Sequence, residues 1–355
     1  MSKIAVIGAG KTGRGFVGRL LAEENCEIMF VDKNADLVNA LNDKKEFTVN
    51  FFGGCRESFK VSKFTAHTWE DADFEGVELM LVSVCGPNLK DVGESLAKKL
   101  DADKKYYIIT CENASSPSKT LREAISMENI AVSEATVFCT TIEDSSIDIN
   151  SENYPYLQCD ADLLEGYIPQ PKTIKPIGEF SNFLTRKLFT YNAASCIIAY
   201  LGWKKGITDY GEAANDPEIL ELLDKNYAIT NRVLCKEFGY DEADQAEFAQ
   251  LSKNKFCDRT IVDTVARNAR EPHRKLGGTE RVIGPMKLIS NYGEDSSILE
   301  MTAAAMLLYD NEGEDKWREI KEQNTPEDIL ENICGLDRGC KLAKNIMKYY
   351  REFSA

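Results

Sequence analysis

The sequence predicts an α/β amino-terminal domain with a doubly wound sheet, residues 1–180, followed by an all-α carboxy-terminal domain, residues 181–355. Two patterns indicate this fold class. In the first part, short apolar runs of strand length alternate with amphipathic helical segments, which is typical of a parallel sheet covered by helices. From about residue 182 the apolar spacing becomes helical and stays so, with breaks at glycine and proline. A chain of 355 residues can bury a core in each of two domains.

The first 32 residues contain a strand, a glycine turn, a helix, a second strand and an acid. The apolar run Ile4–Ile7 precedes the turn Gly8-Ala9-Gly10-Lys11-Thr12-Gly13, and a helical segment follows from about Arg14 to Glu24. A second apolar run, Cys26–Val31, ends at Asp32. This order within roughly 30 residues predicts a Rossmann-like dinucleotide site, in which the glycines allow a tight turn and close approach of the pyrophosphate to a helix N-terminus.

Asp32 determines which dinucleotide we expect. A carboxylate at this position hydrogen-bonds the ribose hydroxyls and repels a 2′-phosphate, so the predicted cofactor is NAD. Lys33 beside it keeps NADP open as an alternative, and Asp32 has a purely structural interpretation as a solvated acid at a strand end.

Two later loops should join the same crevice, because ligands bind at the carboxyl ends of the strands in such sheets. Cys85 and Gly86 follow the apolar run Leu79–Val84, and Asn113 follows the run Tyr106–Thr110. We therefore assign all three residues to the cofactor site. Asn113 either hydrogen-bonds the nicotinamide ribose or caps the next turn.

The end of the first domain shows weaker patterns. We expect a strand near Ala135–Cys139, then an acidic, irregular stretch over 140–160, and a proline-rich linker at 168–171 with Pro176. In the second domain the pattern predicts helices over Lys187–Leu201, Pro217–Phe238, Glu242–Leu251, Arg259–Asn268, Ile298–Tyr309, Pro326–Ile333 and Lys341–Phe353.

Composition restricts the function classes. The formal net charge of −15 argues against a nucleic-acid partner, which needs a basic patch. There is no apolar run long enough for a membrane span, and no signal peptide is expected because a strand begins directly after Lys3. The 11 cysteines include no C-x-x-C pair, which favours a reducing, cytoplasmic location. With two histidines, we expect no metal site.

Polar side chains lie within the apolar helix that begins the second domain. On an α-helix, Lys187, Asn192 and Ser195 fan over an arc of ~140°, so their head groups can meet one ligand. A lysine in apolar surroundings has a lowered pKa and suits a general base or acid. The alternative is a lysine at a helix start with a buried stem and a solvated amine.

The second polar segment is strongly basic. Arg267, Arg270, Arg274, Lys275 and Arg281 fall within 15 positions of an acidic chain, on and after a helix end that Pro272 should break. His273 lies among them. These cations either bind an anion, for which a phosphate suits forked arginines with a lysine, or complement a helix C-terminus and form surface ion pairs.

These motifs together resemble the mannitol-1-phosphate 5-dehydrogenases of the polyol-specific long-chain dehydrogenase, or mannitol dehydrogenase, family. The resemblance covers most of the chain in the right order and rests on four runs: Ile7–Gly18, Cys111-Glu112-Asn113, Arg186–Asn192 with Ala199–Gly202, and Arg270-Glu271-Pro272-His273-Arg274-Lys275-Leu276.

The resemblance implies a two-domain NAD enzyme that interconverts mannitol 1-phosphate and fructose 6-phosphate. It implies that Lys187 takes the proton of the hydroxyl being oxidised and that Asn192 stabilises the developing alkoxide. Arg274 and Lys275, with Arg270 and Arg281 behind them, are our choice for the substrate phosphate. Family members imply a monomer or a small homo-oligomer.

One position departs from the family pattern K-x-x-x-x-N-x-x-H. The last place is Ser195, which cannot carry a proton or a charge near neutral pH. His273 is a candidate to reach the same space. The substitution leaves three hypotheses: a polyol-phosphate dehydrogenase, a dehydrogenase of an unphosphorylated polyol or keto-sugar acid, and a nucleotide-binding homologue with reduced turnover.

Overall fold

The computed structural model describes residues 3–52, 58–114, 116–143 and 146–355. The chain divides into two compact units, Met1–Ser181 and Asn182–Ala355. None of the helices in the described ranges has both the length and the apolar character needed to span a bilayer. The sequence also predicts a turn at Gly53-Gly54, and these two residues lie outside the described ranges.

The first unit is built on an eight-stranded sheet in the order β12-β11-β8-β7-β6-β1-β2-β5. Neighbouring strands are parallel except β8 and β11. Its strands are β1 (Lys3–Ile7), β2 (Glu27–Val31), β5 (Phe64–His67), β6 (Val77–Val82), β7 (Tyr106–Cys111), β8 (Ile130–Thr136), β11 (Leu157–Asp160) and β12 (Ile174–Ile177). The order β5-β2-β1-β6-β7-β8 is that of a Rossmann sheet, and it reverses between β1 and β6.

A smaller four-stranded sheet has the order β4-β3-β10-β9. Its strands are β3 (Phe47–Phe51), β4 (Ser58–Val61), β9 (Thr141–Glu143) and β10 (Ile149–Ser151). The stretch 140–160 is therefore not irregular, as we had expected, because it contains β9, β10 and β11. These strands are three or four residues long, so they have no periodicity of their own and exist because distant strands pair with them.

Two other expectations for this unit were wrong. The strand predicted near Ala135–Cys139 begins five residues earlier, at Ile130, and ends at Thr136. Pro176 is not in a linker but in β12, which is an edge strand of the large sheet. Proline is tolerated there because an edge strand has backbone N–H groups that need no ladder partner.

Helices cover both faces of the large sheet. They are α1 (Arg19–Glu23), α2 (Ala35–Lys44), α3 (Leu89–Ala97) and α4 (Pro117–Ile125). Asn34 caps α2 by accepting hydrogen bonds from the backbone N–H groups of Asp36 and Leu37, as its position predicts. The segment before α1 departs from α geometry: Gly13–Gly18 is a π turn, in which the N–H of Arg19 donates to the carbonyl of Arg14.

The second unit is helical throughout its described residues, apart from a single β-bridge between Asp209 and Thr264. The helices are α5 (Phe180–Lys187), α6 (Ala193–Lys204), α7 (Tyr210–Ala214), α8 (Pro217–Phe238), α9 (Glu242–Cys257), α10 (Val265–Asn268), α11 (Pro272–Lys275), α12 (Ile283–Asn291), α13 (Ser297–Leu308), α14 (Asp315–Gln323), α15 (Pro326–Asn332) and α16 (Lys341–Ser354). The predicted fold class is confirmed.

The helices differ from the prediction in two places near the basic segment. The helix expected over Arg259–Asn268 is limited to α10, which Thr264 caps at its start. Pro272 does not end a helix but begins α11, where a missing backbone N–H costs nothing.

Candidate active site

The glycine turn after β1 has the geometry of a dinucleotide site. Gly8 has φ +93°, and a Cβ there would lie 2.1 Å from the carbonyl oxygen of Ser83. A Cβ on Gly13 would lie 1.9 Å from the carbonyl oxygen of Gly8. Both positions therefore require glycine. A Cβ on Gly10 would have no described atom within 4 Å, so the turn leaves open space where the motif places a pyrophosphate.

Two charged side chains brace this turn. The Oδ2 of Asp32 accepts a hydrogen bond from the Ala9 N–H at 2.7 Å, and its Oδ1 accepts from the Asn34 N–H at 2.8 Å. Arg14 is fully buried and donates to the Ala9 carbonyl. Its guanidinium also forms an ion pair with Glu143 at 2.7 Å. Asp32 thus fixes the turn itself, and each carboxylate oxygen keeps a second lone pair for a ribose hydroxyl.

Glu112 positions the loop that follows β6. Its Oε1 accepts from the N–H groups of Val84 and Cys85, at 2.6 and 2.8 Å. Burial raises the pKa of the Glu112 carboxyl, and these two hydrogen bonds oppose the rise. Cys85 is exposed with φ +68°, and Gly86 follows it at the start of a short 3₁₀ turn. The sequence places Glu112 in this crevice beside Asn113 but does not predict its contact with the loop after β6.

The remaining predicted cofactor residues lie at the same edge of the sheet. Lys11 is exposed, and the hydroxyl of Thr12 lies 3.3 Å from that of Thr141 on β9. The amide of Asn113 is bonded to Val137 in both directions: it donates to the carbonyl at 3.1 Å and accepts from the N–H at 3.2 Å. This geometry favours the structural alternative for Asn113, a clasp between the ends of β7 and β8.

In the second unit, the lysine and the asparagine of the predicted catalytic pair lie at the two ends of a second π turn. Lys187 is the last residue of α5, and the π turn Leu188–Asn192 leads into α6. The Ala193 N–H donates to the Leu188 carbonyl, five residues back. A straight α-helix would separate Lys187 and Asn192 by ~140°. A π turn closes over five residues, so it brings residues 187 and 192 closer to one face of the helix than α geometry would.

The surroundings of Lys187 suit proton transfer. Burial, and to a smaller extent the cations Lys255 and Arg281, lower the pKa of the Lys187 amine to about 7. At this value the amine both accepts and releases a proton near neutral pH. Lys255, on α9, was not predicted, because the sequence gives no sign that residue 255 approaches residue 187.

Ser195 lies one α-helical turn after Asn192 and receives a hydrogen bond from the hydroxyl of Tyr210, at 3.2 Å. Tyr210 is buried at the start of α7, and burial raises its pKa well above the ordinary value. The tyrosine therefore stays protonated and acts as the donor. This arrangement leaves the Ser195 hydroxyl hydrogen available for another acceptor.

The structure separates the basic segment into different environments. Arg274 is exposed, and two of its N–H groups donate to Glu271, at 3.1 and 2.8 Å. Lys275 is buried and donates to the Asn268 carbonyl at 2.5 Å, and burial lowers its pKa. Arg281 is bonded to Glu280 at 3.1 Å, with a side chain only 16% exposed.

Three further members of the segment have weaker claims to a substrate. Arg270 is exposed and donates to the Arg267 carbonyl at 3.2 Å, while Arg267 pairs with Asp263 at 3.2 Å. Burial lowers the pKa of His273, so this side chain is neutral at pH 7. Among the predicted phosphate ligands, Arg281 helps to lower the pKa of Lys187 by its charge.

A Rossmann sheet with a dinucleotide turn, joined to a helical unit that presents an amine of near-neutral pKa beside an amide, defines a nucleotide-dependent dehydrogenase. The family is shown by comparison. Residues 2–147 match the mannitol dehydrogenase Rossmann domain, and residues 179–349 match the mannitol dehydrogenase C-terminal domain. The chain belongs to the mannitol dehydrogenase family, as its motifs predict.

Similar proteins extend over almost the whole chain. A mannitol-1-phosphate 5-dehydrogenase of Bacillus subtilis is 29% identical, with 96% of this chain and 97% of the relative covered. One of Neurospora crassa is 28% identical, with 99% and 97% covered.

Two solved structures share the fold. Mannitol 2-dehydrogenase of Pseudomonas fluorescens, in a ternary complex with NAD and D-mannitol, has a TM-score of 0.68 at 13% identity, covering 99% of this chain and 92% of that one. A D-sorbitol dehydrogenase has a TM-score of 0.77 at 12% identity, covering 99% and 93%.

Proposed function

We propose that the protein is an NAD-dependent oxidoreductase that interconverts mannitol 1-phosphate and fructose 6-phosphate, or a closely related polyol and sugar phosphate. One observation supports this most strongly: Lys187, with a pKa of about 7, lies at one end of a π turn and the Asn192 amide at the other. The names of the relatives indicate the substrate class.

The glycine turn supplies the cofactor site. The open space at Gly10 and the paired requirement for glycine at Gly8 and Gly13 fit a pyrophosphate against the turn. Asp32 accepts from the turn on one side of its carboxylate and faces a ribose with its remaining lone pairs. When bound, NAD supplies the hydride acceptor for the oxidation of an alcohol.

Lys187 transfers the proton, and Asn192 stabilises the negative charge that develops on the substrate oxygen. In the oxidation, the neutral amine of Lys187 takes the hydroxyl proton while the C–H hydride leaves to the cofactor, so the alcohol becomes a ketone and the amine an ammonium. The Asn192 amide donates a hydrogen bond to the oxygen as it gains negative charge. In the reduction, the ammonium returns its proton to the same oxygen.

Arg281 is the first candidate for the substrate phosphate, followed by Lys275. Both cations are largely withdrawn from solvent, so their charge is less screened than that of the exposed Arg274. In addition, two N–H groups of Arg274 already donate hydrogen bonds to Glu271. This order differs from the sequence-based choice, which placed Arg274 and Lys275 before Arg281.

The direct test is a substrate screen. Purified protein is mixed with NADH and a panel of ketose phosphates, their unphosphorylated sugars and keto-sugar acids, and NADH absorbance is followed. We expect the fastest oxidation of NADH with fructose 6-phosphate or a close analogue. Absence of oxidation above background with every phosphorylated sugar would refute the proposal.

The replacement of the family histidine by Ser195 supports a second candidate, a homologue that binds the nucleotide and turns over slowly or acts on an unphosphorylated substrate. Faster turnover of a free sugar or keto acid than of its phosphate would favour a changed substrate. Normal NADH binding with no turnover would favour a nucleotide sensor.

A further inference from the structure

A buried polar network lies against the second π turn. The side chain of Gln245, on α9, is fully buried and bonds to one residue before the turn and one inside it. Its Oε1 accepts from the Nε of Arg186 at 2.7 Å, and its Nε2 donates to the Oγ1 of Thr190 at 3.2 Å. Arg186 directly precedes Lys187, and Thr190 lies inside the turn. The Gln245 side chain therefore links Arg186, the residue before Lys187, to Thr190 in the π turn.

The rest of the network fixes the amide and the arginine. The Nε2 of Gln245 also donates to the Oδ1 of Asn231, at 2.9 Å. The Arg186 guanidinium bonds to the carboxylate and the carbonyl of Asp244, at 2.6 and 2.9 Å. It lies over the rings of Tyr240 and Phe248, at 4.6 and 4.2 Å from their centroids. Held on several sides, Gln245 has one hydrogen-bonded orientation.

The turn needs such a brace. A π turn is a rare departure from the α-helical hydrogen-bond pattern, and without support the helix favours the i→i+4 geometry. A return to that geometry would leave Lys187 and Asn192 ~140° apart around the helix axis. The alignment of the amine with the amide thus depends on whatever keeps the turn in its π form.

We propose that Gln245 is a positioning residue for the reaction: by holding Arg186 and Thr190, it keeps the π turn closed and Lys187 in register with Asn192. This inference rests on the proposed function for its kinetic consequences, but the geometry of the turn can be tested without turnover.

The main variant is Gln245→Leu, which has a similar size and loses all three hydrogen bonds. We expect kcat to fall by about 10²-fold, the cost of misplacing a catalytic group by about 1 Å, while the KM for NADH stays within about twofold. Gln250→Leu is the matched control, because Gln250 is an exposed glutamine of the same helix, bonded to Asn254 at 2.7 Å. Wild-type kcat in folded Gln245→Leu protein would overturn the proposal.

A second pair of variants, at Thr190, removes fewer hydrogen bonds than Gln245→Leu and therefore disturbs folding less. Thr190→Val keeps the shape of the side chain and removes the acceptor for Gln245, whereas Thr190→Ser keeps the acceptor. We expect about a tenfold loss of kcat in the valine variant, close to the value of one lost hydrogen bond, and near-wild-type kcat in the serine variant. Equal activity of the two variants would contradict the inference, and NADH binding by fluorescence confirms folding in each.

A readout that needs no substrate separates this inference from the proposed function. The pH dependence of Lys187 acylation, followed by peptide mass spectrometry, reports the state of the amine directly. In the wild type and in Gln250→Leu we expect half-maximal reactivity near pH 7; in Gln245→Leu the midpoint should shift, because the amine changes surroundings. An unchanged midpoint in Gln245→Leu refutes the positioning role, whereas an inactive wild type refutes the proposed function alone.

Discussion

The two π turns of this protein make an instructive pair. The first, Gly13–Gly18, begins the helix of the dinucleotide site, and its geometry depends on glycines that leave no room for a Cβ, with the buried Arg14 as a brace. The second, Leu188–Asn192, connects Lys187 to Asn192, the proposed catalytic pair, and we infer that its geometry depends on the side chain of Gln245 on α9, more than 50 residues away in sequence.

The largest effect should come from substitution of Lys187, the proposed general base at the start of the second π turn. In Lys187→Ala, we expect kcat to fall by about 10³-fold or more, since general base catalysis contributes about 10²–10⁴-fold. The affinity for NADH, measured by fluorescence, should stay unchanged because the first turn is untouched. Lys225→Ala is the control, since Lys225 is an exposed lysine paired with Glu221. A Lys187→Ala enzyme with more than a tenth of wild-type kcat would remove the lysine from the mechanism.

Substitution of Asn192, at the other end of the second π turn, should lower kcat slightly less than substitution of Lys187. Asn192→Ala removes a donor to the developing alkoxide, and the loss of one such donor costs about 10²–10³-fold in kcat. Steady-state kinetics should show this loss without a matching rise in KM. If KM rises and kcat does not change, Asn192 binds the ground state and the two ends of the turn do not act together.

The charges around the second turn should affect binding more than rate. Arg281→Ala should raise the KM for the phosphorylated substrate by about tenfold, the usual cost of one charge-assisted hydrogen bond. Arg274→Ala should have a smaller effect because Glu271 already engages its guanidinium. The reverse order would restore Arg274 as the principal phosphate ligand.

The last prediction concerns cofactor binding at the glycine turn Gly8–Gly13, which precedes the first π turn. Asp32→Ala removes the acceptor for the Ala9 N–H, so we expect the Kd for NADH to rise by about tenfold and the discrimination against NADPH to decrease. Asp36→Ala, at an exposed position in the first turn of α2, is the control. Unchanged selectivity between the two nucleotides in Asp32→Ala would assign the choice of cofactor to another residue.

The same contrast explains what could be predicted from sequence. The strand, glycine turn and acid of the cofactor site are contiguous, so their spacing encodes the geometry, and β1, β2 and Asp32 lie where the motif places them. The sequence proposes Lys187 and Asn192 as a pair, but it does not predict the π turn between them, to which the side chain of Gln245 bonds from a distant helix. Strands β9 and β10 were missed for a similar reason, since pairing rather than local pattern forms them.

The role of Arg14 shows a further limit. An arginine after a glycine turn is expected at the surface, yet it is fully buried, bonded to the Ala9 carbonyl and paired with Glu143 on β9. Only the fold brings β9 to the turn, so no local signal in the sequence could have shown this contact.

The pH dependence of kcat in both directions tests the central claim most directly. If the Lys187 amine, with a pKa of about 7, is the acid and base, the oxidation must rise with pH and level off above about 7, as the amine loses its proton. The reduction must be fastest below about pH 7 and fall above it, because it consumes the ammonium form. Both dependences should vanish from the residual activity of Lys187→Ala. The account would be contradicted if kcat for oxidation and kcat for reduction changed with pH in the same direction. It would also be contradicted if the pH dependence persisted in Lys187→Ala.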